Sequence, residues 1–181
     1  MIYNSLSEDQ LKELDNAYSR EYSQSVKDSM EDYSRDSNIV NDCLRNHGGK
    51  WNSDLEEKYG FTENQFKNMV ENLDNSQIKL LKDTTLFRGC KNNITDFTIG
   101  KEIHDWGYGS TSFDKAVAMS YVTDLGTVLY IDASKGTKGI YIRQNSLNPE
   151  EVEFLLPRGT VLEVYKIDKS TGVAHAVLKY I

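Results

Sequence analysis

The spacing of apolar residues changes character at residue 84, and that change limits the fold more than any other feature of the chain. Before it, apolar side chains recur at helical intervals. Ser7-Glu-Asp-Gln10 has the form of a capping box, in which a hydroxyl and an amide three residues apart satisfy the first free amides of a helix, and Leu11, Leu14 and Tyr18 follow on one face. Val26, Met30 and Tyr33 continue the pattern, and Ile39, Val40, Cys43 and Leu44 form another short stripe. Thr62-Glu-Asn-Gln65 opens a third with Phe66, Met69, Val70 and Leu73, and a last helical stretch is expected over Gln77 to Lys82. The only glycines here are Gly48, Gly49 and Gly60, each at a break in the periodicity.

From residue 84 onward the chain holds nine of its 12 glycines and both prolines. Between them lie short runs rich in β-branched and aromatic residues. Strands are expected over Thr85–Arg88, Ser110–Phe113, Val128–Ile131, Gly139–Ile142, Glu153–Leu156, Val161–Lys166 and Val173–Tyr180, with one short helix over Lys115–Tyr121. Closely spaced strands with few helices between them argue for an antiparallel sandwich or split barrel. The expected class is α+β: N-terminal helices (1–83) packed on an antiparallel β-sandwich or split-barrel core (84–181), with both halves in one domain of 181 residues.

Charge follows the same boundary. The first 83 residues hold 10 basic and 17 acidic side chains and the remainder 11 of each, so the whole net charge of −7 sits in the helical half. That balance argues against a broad face for duplex nucleic acid, whose affinity comes largely from Lys and Arg on phosphates. No apolar run approaches the roughly 18 residues of a membrane-spanning helix. The opening Met-Ile-Tyr-Asn-Ser-Leu-Ser-Glu-Asp lacks a basic start and an apolar run, so export is expected by another route or as part of a longer chain. Two cysteines, Cys43 and Cys90, do not make a disulfide framework, and Cys43 with His47 supplies too few ligands for zinc.

Three places in the second half are unlike plain core strand. Leu86-Phe87-Arg88-Gly89 puts a cation at the end of an apolar strand, next to a residue that lets backbone come close to a ligand. Gly107-Tyr-Gly-Ser110-Thr111-Ser112 enters a hydroxyl-rich strand through glycines, with Ser110 and Ser112 on one face and Thr111 on the other. Glu151-Val-Glu153 places two carboxylates together at the mouth of the apolar run Phe154–Leu156, where one can anchor and the other act as a base or stabilise a developing cation. Taken singly, each has a plain structural reading: a surface arginine, a polar edge strand, an acidic turn.

In this order, and with Lys138-Gly-Ile-Tyr-Ile142 and Leu-Leu-Pro-Arg-Gly-Thr around them, these motifs over residues 85–166 resemble the R-S-E class of mono-ADP-ribosyltransferases, the group that holds clostridial binary and C3-like toxin enzymes. The resemblance implies NAD as a substrate and no metal. It implies that Arg88 holds the NAD phosphates, that Gly89 meets the nicotinamide amide, and that Ser110 positions the catalytic Glu153, with Thr111 and Ser112 completing the motif beside the ligand. It also implies that Glu153 binds a ribose hydroxyl and stabilises the positive sugar. Glu151 is the upstream partner, and Glu-x-Glu is the pattern of arginine-directed members, so a protein carrying an accessible arginine is the implied acceptor. A toxin or effector acting in the cytosol of a target cell is the implied setting.

One departure is at Asn148, five residues before Glu153. Several toxins carry a target-recognising aromatic there, so target preference does not transfer from actin- or Rho-modifying members. Tyr121 has two readings, a helical core aromatic ahead of a stacking partner for nicotinamide. Cys90 with His104 lacks the orienting group of a nucleophile pair, and His175 in an alternating strand reads as structural. No Gly-rich dinucleotide fingerprint or P-loop occurs. Two other functions stay in view: an NAD glycohydrolase, in which water is the acceptor, and a non-catalytic interaction domain on the same fold.

Overall fold

The computed structural model describes residues 5–123 and 125–180; the first four residues, residue 124 and Ile181 lie outside them. The helical half forms α1 (Glu8–Tyr18), α2 (Gln24–Asn46), α3 (Asp54–Tyr59) and α4 (Glu63–Asn75). Both expected capping boxes are formed, on Ser7 with Gln10 and on Thr62 with Gln65. The two apolar stripes of residues 26–44 lie on one element, α2, whose backbone leaves helical geometry at Asp36, between them. Gly48, Gly49 and Gly60 all take the left-handed conformation that ends a helix without a Cβ clash.

The second half supplies β2 (Thr84–Cys90), β3 (Glu102–Asp105), β4 (Gly109–Ser112), α5 (Lys115–Ser120), β5 (Thr127–Ala133), β6 (Lys138–Tyr141), β7 (Glu153–Leu156), β8 (Thr160–Asp168) and β9 (Val173–Tyr180), preceded by the short β1 (Ile78–Lys79). The expected helix over Gln77 to Lys82 is absent: the segment holds the two-residue strand β1 and a bend over Leu81 and Lys82. The extended chain instead pairs Ile78 and Lys79 with Gly139 and Lys138, exchanges hydrogen bonds between Leu80 and residues 136–137, and buries Leu80. β3 gave no strand signal, because Glu-Ile-His-Asp offers one apolar residue and pairs only with β8 at the sheet edge.

The strands form one nine-stranded sheet in the order β1-β6-β7-β4-β2-β5-β9-β8-β3. It is antiparallel, as expected, except for β5 against β9, which run parallel. Three residues join β3, at one edge, to β4, five places away in that order. So short a connection requires the sheet to curl until its edge approaches its middle. One core fills the curl: Leu86, Leu129, Ile131, Phe154, Leu156, Leu162 and Val164, closed by Tyr18 of α1. A second core packs α2 and α4 on the other face, against Tyr108, Ile140, Ile142 and Leu155. β7 is buried on both faces, which explains its unbroken apolar run. At the start of the chain, Ser5 and the Leu6 amide donate to the carboxylate of Asp114, the fully buried N-cap of α5.

Candidate active site

Ser112 lies opposite Glu153 and Ser110 opposite Leu155 in the β4–β7 ladder. Paired residues project to the same side, so Ser110, Ser112 and Glu153 share the face that looks toward α2. There they line a cleft of about 640 Å³, together with Arg88, Gly89 and Glu151. The residues singled out in the sequence are thus gathered in one place.

Glu153 is 6% exposed, and the Ser110 hydroxyl donates to its Oε1. Burial pushes its carboxyl from an ordinary 4.5 up to about 7, the Ser110 hydrogen bond pulls against that rise, and the Glu151 charge adds to it. Glu151 is raised too, first by burial and then by Glu150, while a hydrogen bond from the Tyr121 hydroxyl opposes the rise. Between them, Val152 holds φ 47 and ψ 48, left-handed geometry that a β-branched residue rarely adopts. Strand alternation therefore does not place Glu151. A 3-10 turn over Pro149–Glu151 and the reversal at fully buried Val152 bring it beside Glu153.

Thr111 borders the cleft, but its side chain points to the other face, and its buried hydroxyl donates to the Phe154 carbonyl. The Ser112 hydroxyl donates to the Glu151 carbonyl at 2.6 Å. Both tie β4 to the segment that carries the glutamates. Gly89 lies under the end of α5, where an added Cβ would sit 2.3 Å from the Ala118 carbonyl and 2.9 Å from Tyr121 Cβ. Tyr121 is not a core aromatic: it is 50% exposed on the cleft wall, because the helix ends at Ser120 and releases it.

The residue that organises Arg88 was not visible in the sequence. Arg88 Nη1 donates to Asp105 Oδ2 at 3.0 Å, and Arg45 of α2 grips the same carboxylate through Nε at 2.8 Å and Nη2 at 3.0 Å. Burial alone would raise Asp105, but the Arg45 hydrogen bonds and the Arg88 charge outweigh it and hold the carboxyl below its usual range. Two guanidiniums are thereby fixed side by side in the cleft, a pattern suited to a diphosphate. Asn41 braces the same corner: its side chain accepts from the Tyr108 amide and donates to the Tyr33 hydroxyl, both at 2.8 Å. The only sign of Arg45 in the sequence was an arginine one residue past an apolar stripe, which reads as a solvated face.

Elsewhere, burial pushes the Cys90 thiol up, and His104 is paired with Glu102, so neither forms a nucleophile pair. His175 packs between the rings of Tyr130 and Tyr165. Among the described residues, no helix is long and apolar enough to cross a membrane.

A helical layer thus packs on a curled sheet, and one cleft holds two guanidiniums together with a buried glutamate bound by a hydroxyl. The chain matches the ADP-ribosyltransferase exoenzyme family over residues 4–180 and belongs to it. It is 32% identical over 149 residues to the NAD(+)–arginine ADP-ribosyltransferase EFV of Enterococcus faecalis, a match that takes in 77% of this chain and 28% of that relative's length. In fold it is similar to the C3 exoenzyme of Clostridium limosum, with a TM-score of 0.77 at 21% identity over 99% of this chain and 98% of the other. It is likewise similar to C3stau2 of S. aureus, solved with NAD, with a TM-score of 0.74 at 20% identity over 99% of each chain.

Proposed function

We propose that the chain splits the nicotinamide–ribose bond of NAD and transfers ADP-ribose to an arginine of a protein. The observation that carries this reading is the buried Glu153, held by Ser110 in the same cleft as the Arg45–Arg88 pair. The guanidiniums suit the diphosphate of NAD, which leaves the nicotinamide riboside to reach toward Gly89 and Glu153. The C1′–nitrogen bond breaks with its electron pair going to nicotinamide, and the sugar gains oxocarbenium character. A carboxylate with no cation partner among the described residues favours that charge. Membership in the ADP-ribosyltransferase exoenzyme family supports NAD as the donor.

Glu151 stands on the acceptor side. An arginine is cationic across the physiological range and must lose a proton as its nitrogen bonds to C1′, and a neighbouring carboxylate can both orient it and take that proton. The arginine-directed name of the Enterococcus faecalis relative supports the same acceptor.

The test is nicotinamide release from NAD with and without agmatine, an arginine mimic, with Glu153→Gln as the control. Release stimulated by agmatine, with ADP-ribosyl-agmatine appearing and both lost in Glu153→Gln, is the expected result. Unstimulated release would replace transfer with NAD hydrolysis. No release and no NAD binding would reduce the likeness to fold alone.

A further inference from the structure

Backbone bonds close the Pro149–Glu151 turn, from the Glu151 amide to the Asn148 carbonyl at 3.0 Å and from the Val152 amide to the Pro149 carbonyl at 3.4 Å. No side chain caps it, and the left-handed Val152 that follows costs on the order of 1–3 kcal/mol unless the surroundings enforce it. On the cleft side, the Ser112 hydroxyl secures the Glu151 carbonyl and the Tyr121 hydroxyl meets its carboxylate, but neither holds the Pro149 end of the turn. Behind the turn stands Arg143, which does not border the cleft. Its Nε donates to the Pro149 carbonyl at 3.1 Å, and its Nη1 donates to Oδ2 of Asp15, on α1. The other oxygen of Asp15 accepts from the Tyr141 hydroxyl at 2.8 Å. The Arg143 and Asp15 side chains are 22% and 19% exposed, so water weakens the pair less than it would a surface contact. A guanidinium is planar and rigid, so fixing one nitrogen on Asp15 aims the other at the turn.

We propose that Arg143, seated on Asp15 of α1, is a positioning residue for Glu151: it fixes the Pro149 carbonyl and so sets where the acceptor-side carboxylate stands, without touching NAD. The proposal rests on the acceptor-side reading of Glu151 given above. It separates two properties that a single hydrogen-bonded ion pair would otherwise share. Stability comes from Arg143 with Asp15, whereas positioning comes from Arg143 with Pro149.

The experiment uses the whole chain and three proteins: wild type, Arg143→Met, which loses both contacts, and Arg143→Lys, which keeps a cation for Asp15 but has no second branch for the carbonyl. ADP-ribosyl-agmatine formation and NAD hydrolysis are measured in the same samples, alongside thermal unfolding. Losing one hydrogen bond to the turn is expected to lower the ratio of transfer to hydrolysis about five- to tenfold in both variants. Hydrolysis stays within about twofold of wild type, and Arg143→Lys recovers the melting temperature that Arg143→Met loses. Equal loss of both reactions in Arg143→Lys, or a ratio that returns to wild type together with stability, would make Arg143 structural support only and overturn the proposal. If wild type itself shows no agmatine stimulation, the acceptor-side reading of Glu151 fails, and this proposal fails with it.

Discussion

Asp105, bound to the two guanidiniums that line the cleft, and Glu153, on the cleft lining itself, are both carboxylates largely withdrawn from water, 9% and 6% exposed, and their acidities move in opposite directions. Asp105 has two guanidiniums on its oxygens and stays charged. Glu153 has one hydroxyl and an acidic neighbour, and it is raised to about 7. The difference shows that partners, more than burial, decide the charge of a buried acid. One end of the cleft is compensated and serves to hold fixed cations in place. The other is left uncompensated, which makes it costly in the empty protein and, in the proposed transfer, useful once a positive sugar forms beside it.

The largest effect expected from breaking this contrast is Glu153→Gln, which keeps the shape of the side chain and removes its charge. NAD cleavage falls about 10³-fold or more in that variant. A residual rate above about a tenth of wild type would show that charge is not what the residue contributes. Next comes Asp105→Asn, which leaves Arg45 and Arg88 facing each other without their shared anion. Because Arg45 is partly solvated, the loss is about 2 kcal/mol of unfolding free energy by denaturant titration, together with a higher KM for NAD. An unchanged midpoint would mean the cluster is dispensable.

The raised acidity of Glu153 predicts that kcat/KM for NAD falls about tenfold per pH unit below about 7, as the carboxylate takes up a proton. A profile flat down to about pH 5 would contradict it. The smallest effect concerns stability. A carboxyl whose folded-state pKa exceeds its ordinary value stabilises the fold fully below 4.5, and that contribution is lost as pH rises through about 7. Glu153→Gln therefore melts higher than wild type at about pH 8, by a few degrees, with the gap closing toward about pH 5. Thermal unfolding across that range checks both the sign and the window.

What the sequence revealed follows how local each signal is. α1 and α4 were marked by their own caps and stripes, and β7 by an apolar run that only a strand buried on both faces permits. Ser110 and Glu153 were visible as chemistry because their residue types are unusual at strand positions. Asp105 and Arg45 were not, since a charged residue in a polar stretch gives no sign of its partner 60 positions away. β1 escaped because its pairing with β6 outweighed a weak local preference for helix, and α5 hid the exposure of Tyr121 by ending one residue before it. The left-handed backbone at Val152 is imposed from outside against the residue's own preference, so no property of valine could have announced it.

The early segment of the chain also bears on when the cleft takes shape. Ser5 meets Asp114 across 109 positions, and Asp15 meets Arg143 across 128. Contacts at such separation close large loops, whose entropic cost must be met before the contacts return anything, so they form late. The α5 wall and the glutamate turn are therefore expected to gain these outer supports only after most of the chain has collapsed, so that a full-length but partly folded chain carries every residue of the site without its geometry. On that ordering, the geometry of the cleft is one of the last properties the molecule acquires.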